Sequence, residues 1–268
     1  MRWRTVALHE ARESYQSRSM RWLLGLFIVV SVMGGYVFPV FGAPPHTTAH
    51  FGGYLASWMT LLVPLLGLVI GYNAVVSERT SGSLFLSLSL PYSRGDLVVG
   101  KYGGRLGVIT ATVIVGLLVG GILVIYPFGE LHLLPFLGFV FLTVALAAVF
   151  TGIGIAISMV TASKQRATVA AFGLYVLFVL IWNELRFAVM LALDSLGYVD
   201  GTLPTPIELI FAIEPTNVYT RLVIGFIDPS QGLGDEWYLN EWFALGLLLF
   251  WLIVPLGVAY YRFSGVDL

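Results

Sequence analysis

Residues 134–160 read LPFLGFVFLTVALAAVFTGIGIAISMV, a run without a single Asp, Glu, Lys, Arg or His. A helix needs about 20 mostly apolar residues to cross the hydrocarbon of a bilayer, so this run predicts a transmembrane helix. The whole chain has the same character, since 58% of its 268 residues are hydrophobic and 11% are charged. A soluble domain has roughly 45–50% apolar and about 25% charged residues, so the composition excludes a soluble globular protein.

Six stretches are long and apolar enough to span a membrane. They cover residues 22–41, 53–76, 103–126, 134–160, 168–182 and 242–261, and the fifth can continue past Arg186. Pairs of glycines four residues apart, Gly67 with Gly71 and Gly116 with Gly120, predict close packing between spans. The apolar runs are continuous instead of alternating, which disfavours a transmembrane β-barrel. We therefore expect an all-α membrane protein in which residues 1–268 form one transmembrane domain.

The basic residues predict the orientation of these spans. Twelve of the 14 Lys and Arg residues, but only five of the 15 Asp and Glu residues, lie in residues 1–21, 77–105, 164–166 and 262–268. Cytoplasmic loops of membrane proteins are enriched in Lys and Arg, so we expect these segments and both termini in the cytoplasm. Five arginines before a full-length first span also predict an uncleaved anchor instead of a signal peptide.

The N-terminal arm, residues 1–21, has the pattern of an amphipathic helix. Apolar side chains recur every three or four residues at Trp3, Val6, Ala7 and Ala11, whereas arginines occupy other positions of the helical wheel. Such a helix can lie on the membrane surface with its arginines toward anionic lipid. The alternative is an ordinary solvated helix. The residues predicted to hold the arm at the interface are Trp3, Arg4, Arg12 and Arg18.

The loop between the second and third spans, residues 77–100, is both basic and rich in leucine. Leu84, Leu86, Leu88 and Leu90 alternate over a run too short to cross a membrane. A leucine-rich patch in water is unfavourable, so this run should pack against another surface. The alternation fits a strand, and a short helix buried against span ends or a partner protein fits equally well. A loop packed on its own spans is a third alternative.

The longest segment outside the spans, residues 183–241, carries two apolar series broken by prolines. Each piece is too short to cross a bilayer but apolar enough to enter its outer leaflet. We expect short helices that cap the outer side of the bundle, and no compact soluble domain.

Several classes of function lack the residues that they need. Proton pumps, ion-coupled transporters and intramembrane metalloproteases use ionisable side chains at membrane depth, whereas Arg105 and Arg186 lie only at span edges. The chain has no cysteine, neither of its two lysines follows a glycine-rich phosphate loop, and His46 and His50 have no third ligand nearby. We therefore predict no catalytic, cofactor-binding or metal-binding residue and no nucleic-acid partner. Any nucleotide energy must come from another chain.

Two stretches resemble an ABC-2-type transporter permease. The first matches the family's acidic residue, glycine-led series, proline with Ser-Arg, and Gly-Lys before the third span. Its matching residues are Glu78, Gly82-Ser83-Leu84, Pro91-Tyr92-Ser93-Arg94 and Gly100-Lys101. The second, residues 213–222 (IEPTNVYTRL), is similar to an Asn-Pro motif followed by an aromatic residue and arginine, with Glu214 in place of asparagine. Within this family, the chain most resembles the permease of the nitrous-oxide-reductase maturation system, which serves copper-site assembly.

This resemblance implies a role for each unusual segment. It implies that the arm is an interfacial elbow helix, and that the loop after the second span contains a coupling helix that docks onto a separate ATPase. It further implies short re-entrant helices before the last span. The residues implied for ATPase coupling are Glu78, Arg79, Gly82, Leu84, Phe85, Leu86 and Arg94. Those implied for the outer gate segment are Pro215, Tyr219 and Arg221.

The resemblance also implies partners and a location. The partners are a dimer of ATPase subunits that bind ATP and magnesium, a second permease in a homodimer, and an extracytoplasmic substrate-binding or client protein. The location is the cytoplasmic membrane of a prokaryote. The expected function is export driven by the partner's ATP hydrolysis, with no enzymatic activity in this chain. Two alternatives stay open: a mechanotransducer acting on an extracytoplasmic client, as in copper-enzyme maturation, or a membrane scaffold that transports nothing.

Overall fold

A computed structural model of the chain describes residues 3–41, 44–82, 93–126, 129–234 and 236–265. Within these residues the elements are helices, and the only strand-like pairing is an isolated bridge between Thr47 and Glu130. The helices are α1 (Trp3–Gln16), α2 (Arg18–Phe41), α3 (Thr48–Gly71), α4 (Val76–Ser81), α5 (Arg94–Ile125), α6 (Leu133–Val160), α7 (Lys164–Tyr175), α8 (Trp182–Ser195), α9 (Thr205–Ala212), α10 (Pro215–Phe226) and α11 (Glu241–Ser264). A π-helical segment, Val176–Ile181, joins α7 to α8, and two 3-10 turns, Pro229–Gln231 and Trp237–Leu239, precede α11.

In the part of the chain that the structure describes, six helical segments are long and apolar enough to cross a membrane. We call them span 1 (α2), span 2 (α3), span 3 (α5), span 4 (α6), span 5 (α7 to α8) and span 6 (α11). The six-span, all-α membrane architecture predicted from the sequence is therefore confirmed. Short helices α9 and α10 lie between spans 5 and 6, where the sequence predicted them.

The observed spans extend beyond the predicted apolar runs most clearly at three points. Span 2 begins at Thr48, because the Thr47 side chain caps the helix there. Span 3 begins at Arg94, behind a capping box formed by Ser93 and Asp96, and so earlier than predicted. Span 5 continues through the π-helical segment to the end of α8. At each of these points the helix is longer than the apolar run from which it was predicted.

The centre of the bundle is the contact between spans 2 and 4. Gly71 of span 2 lies so close to span 4 that an added Cβ atom would be 2.7 Å from the carbonyl oxygen of Thr151 and 2.9 Å from Cα of Gly154. Gly67 meets the same span one turn earlier, with Phe150 2.8 Å from an added Cβ. Small residues allow helix backbones in membranes to approach closely, and these glycines do so.

Spans 1, 5 and 6 lie at the periphery of the bundle. Span 1 packs on Gly116 and Gly120 of span 3 through Phe27 and Ser31. In span 5, none of the most apolar 18-residue window is buried, compared with 61% of the corresponding window of span 2. The surface of span 5 is therefore left for lipid or for another protein chain.

The two described ends of the chain lie at the same end of the bundle, because α1 packs on the start of span 3 and the end of span 6 contacts Arg94. This end, which we call the basic end, comprises residues 3–21, 76–82, 93–105, 159–166 and 260–265. The opposite end, called the acidic end, comprises residues 44–50, 129–135 and the described part of 183–241.

Candidate functional site

At the basic end, α1 lies directly on the first turns of span 3. An added Cβ atom on Gly100 would lie 2.6 Å from the Val6 side chain, and one on Gly104 would collide with the backbone of Ala7. The two glycines therefore let the arm and span 3 touch backbone to backbone. Glu10 lies three and four residues after Ala7 and Val6, on the same helix face, and it is the one buried residue of α1.

Glu10 belongs to a cluster of charged side chains from three segments. Its carboxylate accepts hydrogen bonds from the Lys101 ammonium group and from Arg105 Nε, the latter at 2.8 Å. Lys101 also lies 2.6 Å from Glu78 of α4, and Arg105 donates to the carbonyl oxygen of Ile70 near the end of span 2. Lys101 and Glu10 are each only 2% exposed. This ionic cluster (Glu10, Glu78, Lys101 and Arg105) is therefore a buried junction of the arm, α4 and span 3.

The two acids and two bases of the ionic cluster balance each other. Burial alone raises the pKa of Glu10, and the Arg105 and Lys101 cations lower it. The lowering by the two cations is the larger effect, so the pKa of Glu10 lies below its usual value of 4.5. Glu10 is thus ionised at neutral pH. Removing one partner of a buried ion pair costs about 3–5 kcal/mol, so the cluster fixes α1 and α4 relative to span 3.

The short helix α4 is held to the end of span 4 by hydrogen bonds from backbone amides to a side chain of span 4 and from a side chain of α4 to backbone carbonyl groups. The Ser158 hydroxyl of span 4 accepts hydrogen bonds from two backbone amides at the start of α4, at 2.8 and 2.9 Å. In return, Arg79 of α4 donates to the carbonyl oxygens of Thr161 and Met159, at 2.9 and 3.2 Å. The carbonyl groups at a helix C-terminus carry partial negative charge, so a cation is favourable there.

Arg94, the first residue of span 3, makes the same kind of contact with span 6. Its Nη1 atom donates to the carbonyl oxygens of Phe263 and Ser264, at 2.9 and 3.0 Å. The buried Phe263 ring lies near two guanidinium groups, with its centre 5.6 Å from Arg94 and 5.9 Å from Arg79. An apolar cluster separate from the main core surrounds this point and consists of Ala74, Val75, Leu97, Val98, Ile155, Ala156, Met159, Ala259 and Phe263.

The structure places four of the predicted coupling residues around the base of one loop. Glu78 belongs to the ionic cluster, and Arg79 and Arg94 cap spans 4 and 6. Gly82 ends α4 with a φ of 77°, a left-handed conformation that glycine adopts without strain. The other three predicted residues, Leu84, Phe85 and Leu86, lie outside the described residues. A role of these seven residues in docking stays a prediction.

The predicted interfacial residues of the arm lie on its surface. The exposed set comprises Trp3, Arg4, Arg12 and Arg18. The Arg4 guanidinium lies 5.7 Å from the ring centre of Trp3. Exposed apolar side chains also recur at seven-residue spacing at Leu8, Tyr15 and Trp22, along α1 and the start of span 1. Arginines beside large exposed apolar side chains suit the surface of an anionic membrane.

At the acidic end, the chain bends between α9 and α10, and side chains from three helices donate hydrogen bonds to the backbone carbonyl groups at this bend. The carbonyl oxygens of residues 211–213 accept these hydrogen bonds. The donors are the Trp182 indole (3.2 Å) and the Asn217 amide (3.1 Å) to Phe211, the Arg221 guanidinium to Ala212, and the Trp251 indole (2.8 Å) to Ile213. Backbone groups at membrane depth must find partners within the protein. Spans 5 and 6 and α10 supply them here.

The predicted outer gate residues all lie on α10. Pro215 is its first residue, a position where proline loses no helical hydrogen bond. The Tyr219 hydroxyl lies 3.0 Å from the Thr143 hydroxyl of span 4, and both residues are buried. Arg221 is also buried and donates to the carbonyl oxygen of Tyr238, near the start of span 6. These contacts bind α10 to spans 4 and 6.

Glu214 caps the N-terminus of α10 from a buried position. Its carboxylate accepts hydrogen bonds from the amides of Thr216 and Asn217, both at 2.8 Å. Burial raises the pKa of Glu214, and the hydrogen bonds from Thr216 and Asn217 and the charge of Arg221 oppose this. Burial lowers the pKa of Arg221, and Glu214 opposes that shift in turn. The acid therefore does for α10 what asparagine does at an N-cap: it accepts amide hydrogen bonds.

Sequence reasoning did not identify Glu10, Trp182 or Trp251 as site residues, and it named Lys101 only within a motif. For Glu10 a signal exists, because this acid falls on the apolar face of the arm that Val6 and Ala7 define. Nothing in the sequence relates either tryptophan to the carbonyl oxygens between α9 and α10.

His46 and His50 lie at the acidic end, and the interpretation of both as loop residues is wrong for His50, which lies in the first turn of span 2. His50 Nε2 is 3.7 Å from Asp228, and its Nδ1 lies 3.0 Å from the carbonyl oxygen of Pro45. Over the residues described, no three His, Cys, Asp or Glu side chains are grouped as metal ligands. His50 therefore connects the start of span 2 to the segment that follows α10.

Comparison with known proteins gives matches along almost the whole chain. The model of the family described as "ABC-2 family transporter protein" matches residues 4–268. A Pseudomonas aeruginosa protein named probable ABC transporter permease protein NosY is 25% identical over 240 residues, covering 86% of this chain and 84% of that protein. A Stutzerimonas stutzeri protein of the same name is 29% identical over 238 residues, covering 80% of this chain and 79% of that protein.

Proposed function

This chain belongs to the ABC-2 transporter family, and we propose that it is a permease subunit energised by a separate ATPase. The observation that carries the proposal is the construction of the basic end. On either side of the leucine-rich segment 83–92, the chain is fixed to the bundle, by Arg79 and Glu78 before it and by Arg94 after it. These contacts fix the two points at which the segment leaves and rejoins the bundle, and a partner that binds the segment is thereby connected to spans 3, 4 and 6.

In this proposal, segment 83–92 docks onto the ATPase. Leu84, Phe85 and Leu86 fill an apolar groove of the partner, where their burial removes them from water. ATP and magnesium bind in the ATPase dimer, and this chain takes no part in the hydrolysis. The two NosY relatives carry permease names, which agrees with this division of labour.

The basic end faces the cytoplasm in this arrangement. The excess of Lys and Arg there follows the tendency of cytoplasmic segments to be positive, and a cytoplasmic ATPase meets the loop on that side. Helix α1 then lies on the inner leaflet as an elbow helix. Its exposed Leu8 and Tyr15 enter the lipid, while Arg4 and Arg12 meet anionic headgroups.

A second copy of the chain completes the membrane assembly. Span 5 leaves its most apolar window unburied and also exposes Glu184. An acidic side chain on a lipid-facing surface is unfavourable, so a neighbouring protein is expected at this span. A homodimer supplies that neighbour and gives each subunit of an ATPase dimer one permease to act on.

Export of a substrate across the cytoplasmic membrane is the first form of this function. A second form, mechanotransduction to an extracytoplasmic client, is favoured by the fixed connection between α9 and α10. Donors from spans 5 and 6 hold the carbonyl oxygens of residues 211–213, so these helices move together with the spans. In both forms the energy enters through segment 83–92.

Affinity purification of the tagged chain in mild detergent, with stoichiometry by mass spectrometry, tests the proposal. We expect an equimolar soluble ATPase with the wild type and its loss from the Leu84→Asp/Leu86→Asp variant. Each buried leucine contributes about 1.5–3 kcal/mol. The double variant should therefore bind on the order of a hundredfold more weakly or worse. Leu131→Asp, in an exposed loop of the acidic end, is the matched control and should retain the ATPase.

Two results would contradict this reading. Unchanged ATPase binding by the double variant would refute docking through segment 83–92. A well-folded wild-type preparation with no ATPase at all would refute the permease proposal and favour a membrane scaffold.

A further inference from the structure

The coupling loop is attached to two particular spans. Arg79, just before segment 83–92, binds the carbonyl oxygens that end span 4, and Arg94, just after it, binds those that end span 6. Phe263 of span 6 lies near both guanidinium groups. Ser158 of span 4 completes the attachment by accepting two amides at the start of α4. A displacement of the loop therefore pulls on spans 4 and 6 through hydrogen bonds to their backbones.

The same two spans hold the short helices at the acidic end. Span 4 contacts α10 through the hydroxyls of Thr143 and Tyr219, 3.0 Å apart. Span 6 holds the end of α9 through the Trp251 indole, which donates to the carbonyl oxygen of Ile213 at 2.8 Å. Spans 4 and 6 thus have specific polar attachments at two levels. At the basic end they are attached to the loop, and near their middles, at Thr143 and Trp251, they are attached to α10 and α9.

The two spans differ in how they carry a displacement. Span 4 is the more deeply buried of the two and packs closely on span 2, so its neighbours restrict its bending. Span 6 contains Pro255, and proline removes the hydrogen bond to the carbonyl group four residues earlier, which is that of Trp251. Span 6 can therefore bend at the level where Trp251 holds α9.

We propose that Arg79 and Arg94 are positioning residues that transmit movement of the coupling loop through spans 4 and 6 to α9 and α10. This inference rests on the proposed function, because the movement starts at the ATPase. It goes further by naming the two spans that carry the movement and the helices that receive it. Two connections at the basic end and two near mid-span, from Thr143 and Trp251, define the path.

Hydrogen–deuterium exchange of the permease–ATPase complex, with and without a non-hydrolysable ATP analogue, tests this path. Complexes are isolated through a tag on the ATPase, so every permease measured has its partner bound. In the wild type, nucleotide should change the exchange of residues 205–226, which comprise α9 and α10. Arg79→Gln and Arg94→Gln should lose this change, whereas Arg166→Gln, an exposed arginine of the same end, should keep it.

Two further variants keep the test informative if an arginine variant forms no complex. Trp251→Phe breaks the attachment of span 6 to the end of α9, far from the ATPase. It should lose the nucleotide-dependent change at residues 205–213 while keeping the change at α4. Arg94→Lys retains a cation at the end of span 6 and should restore part of the response.

A nucleotide-dependent change at residues 205–226 that persists in Arg79→Gln and Arg94→Gln, or one at residues 205–213 that persists in Trp251→Phe, would overturn the inference. So would a wild-type complex that binds the analogue and shows no change there. Either result leaves the ATPase bound and the proposed function intact. Failure of the wild type to bind any ATPase would refute the proposed function, and this inference with it.

Discussion

Replacing Lys101 by methionine is the most direct test of the ionic cluster. The substitution keeps a side chain of similar length and removes its charge. Among the described residues, Glu78 then has no cation within ion-pair distance, whereas Glu10 keeps Arg105 at 2.8 Å. Removing one partner of a buried ion pair costs about 3–5 kcal/mol. Because Glu10 stays paired and Glu78 is partly exposed, we expect a loss of about 3 kcal/mol, at the lower end of that range.

Thermal unfolding in detergent at neutral pH measures this loss. In a chain of this size, 1 kcal/mol shifts the Tm by roughly 2–4 °C, so Lys101→Met should lower it by about 6–12 °C. The matched control is Lys164→Met, which removes the other lysine of the chain, an exposed residue at the start of α7. A surface substitution of this kind changes stability by about 0.5 kcal/mol or less. Equal Tm values for the two variants would refute the stabilising role of the cluster.

Two refinements separate the charges of the cluster. Adding Glu78→Gln to Lys101→Met should recover part of the lost stability, because the unpaired carboxylate is removed. The pKa of Glu10 is lowered in the folded chain. Its stabilising contribution is therefore complete above the usual value of 4.5, and it is lost as the pH falls through the lowered value. Glu10→Gln should lack this acid-dependent loss, and a parallel acid response in both proteins would contradict the assignment.

Two other predictions concern packing and capping. Gly71→Ala places a Cβ atom 2.7 Å from the carbonyl oxygen of Thr151 and should lower stability by about 1–3 kcal/mol. Gly107→Ala, with open space around its Cβ, should be neutral or stabilising by up to about 1 kcal/mol; similar Tm values would contradict the close packing. Glu214→Asn should preserve amide protection in the first turn of α10, while Glu214→Ala should lose about 0.5–2 kcal/mol of capping energy. Equal exchange rates at Thr216 in the two variants would show that the cap is dispensable.

The spans are predictable from the sequence because bilayer thickness leaves few other uses for such long apolar runs. Their ends depend on single contacts that hydropathy does not contain. Span 3 begins at Arg94 behind its capping box and so includes Lys101, whose charge is paired with Glu10, far away in the sequence. Span 5 continues past Arg186, as the sequence allowed, and Glu208 of α9 lies 2.6 Å from its guanidinium group. In both spans a distant acid pairs with a cation that hydropathy alone places at the end of the span.

The sequence predicts which residues belong to the candidate site, but it does not predict which groups they contact. The motif after span 2 identifies Glu78, Arg79 and Arg94, and it interprets their charges as groups available to a partner. The structure shows that each is also engaged within the chain, with Lys101 or with the ends of spans 4 and 6. Which helix ends meet a given arginine is a consequence of the packing of the bundle. A pattern of residue types in one loop does not specify it.

The contacts that join spans 4 and 6 to the coupling loop differ in chemistry from the contact that joins span 6 to α9, and this difference gives the proposed transmission a direction. Contacts at the basic end are largely ionic or cation-to-carbonyl, so a charged partner surface can compete for Arg79 and Arg94 and rearrange them. At the acidic end, neutral indole donors of Trp182 and Trp251 hold the bend between α9 and α10, with Arg221 buried beside them. A neutral indole carries no net charge for such a partner surface to attract. A partner at the basic end therefore alters attachments that can change, and the attachments at the acidic end carry the result.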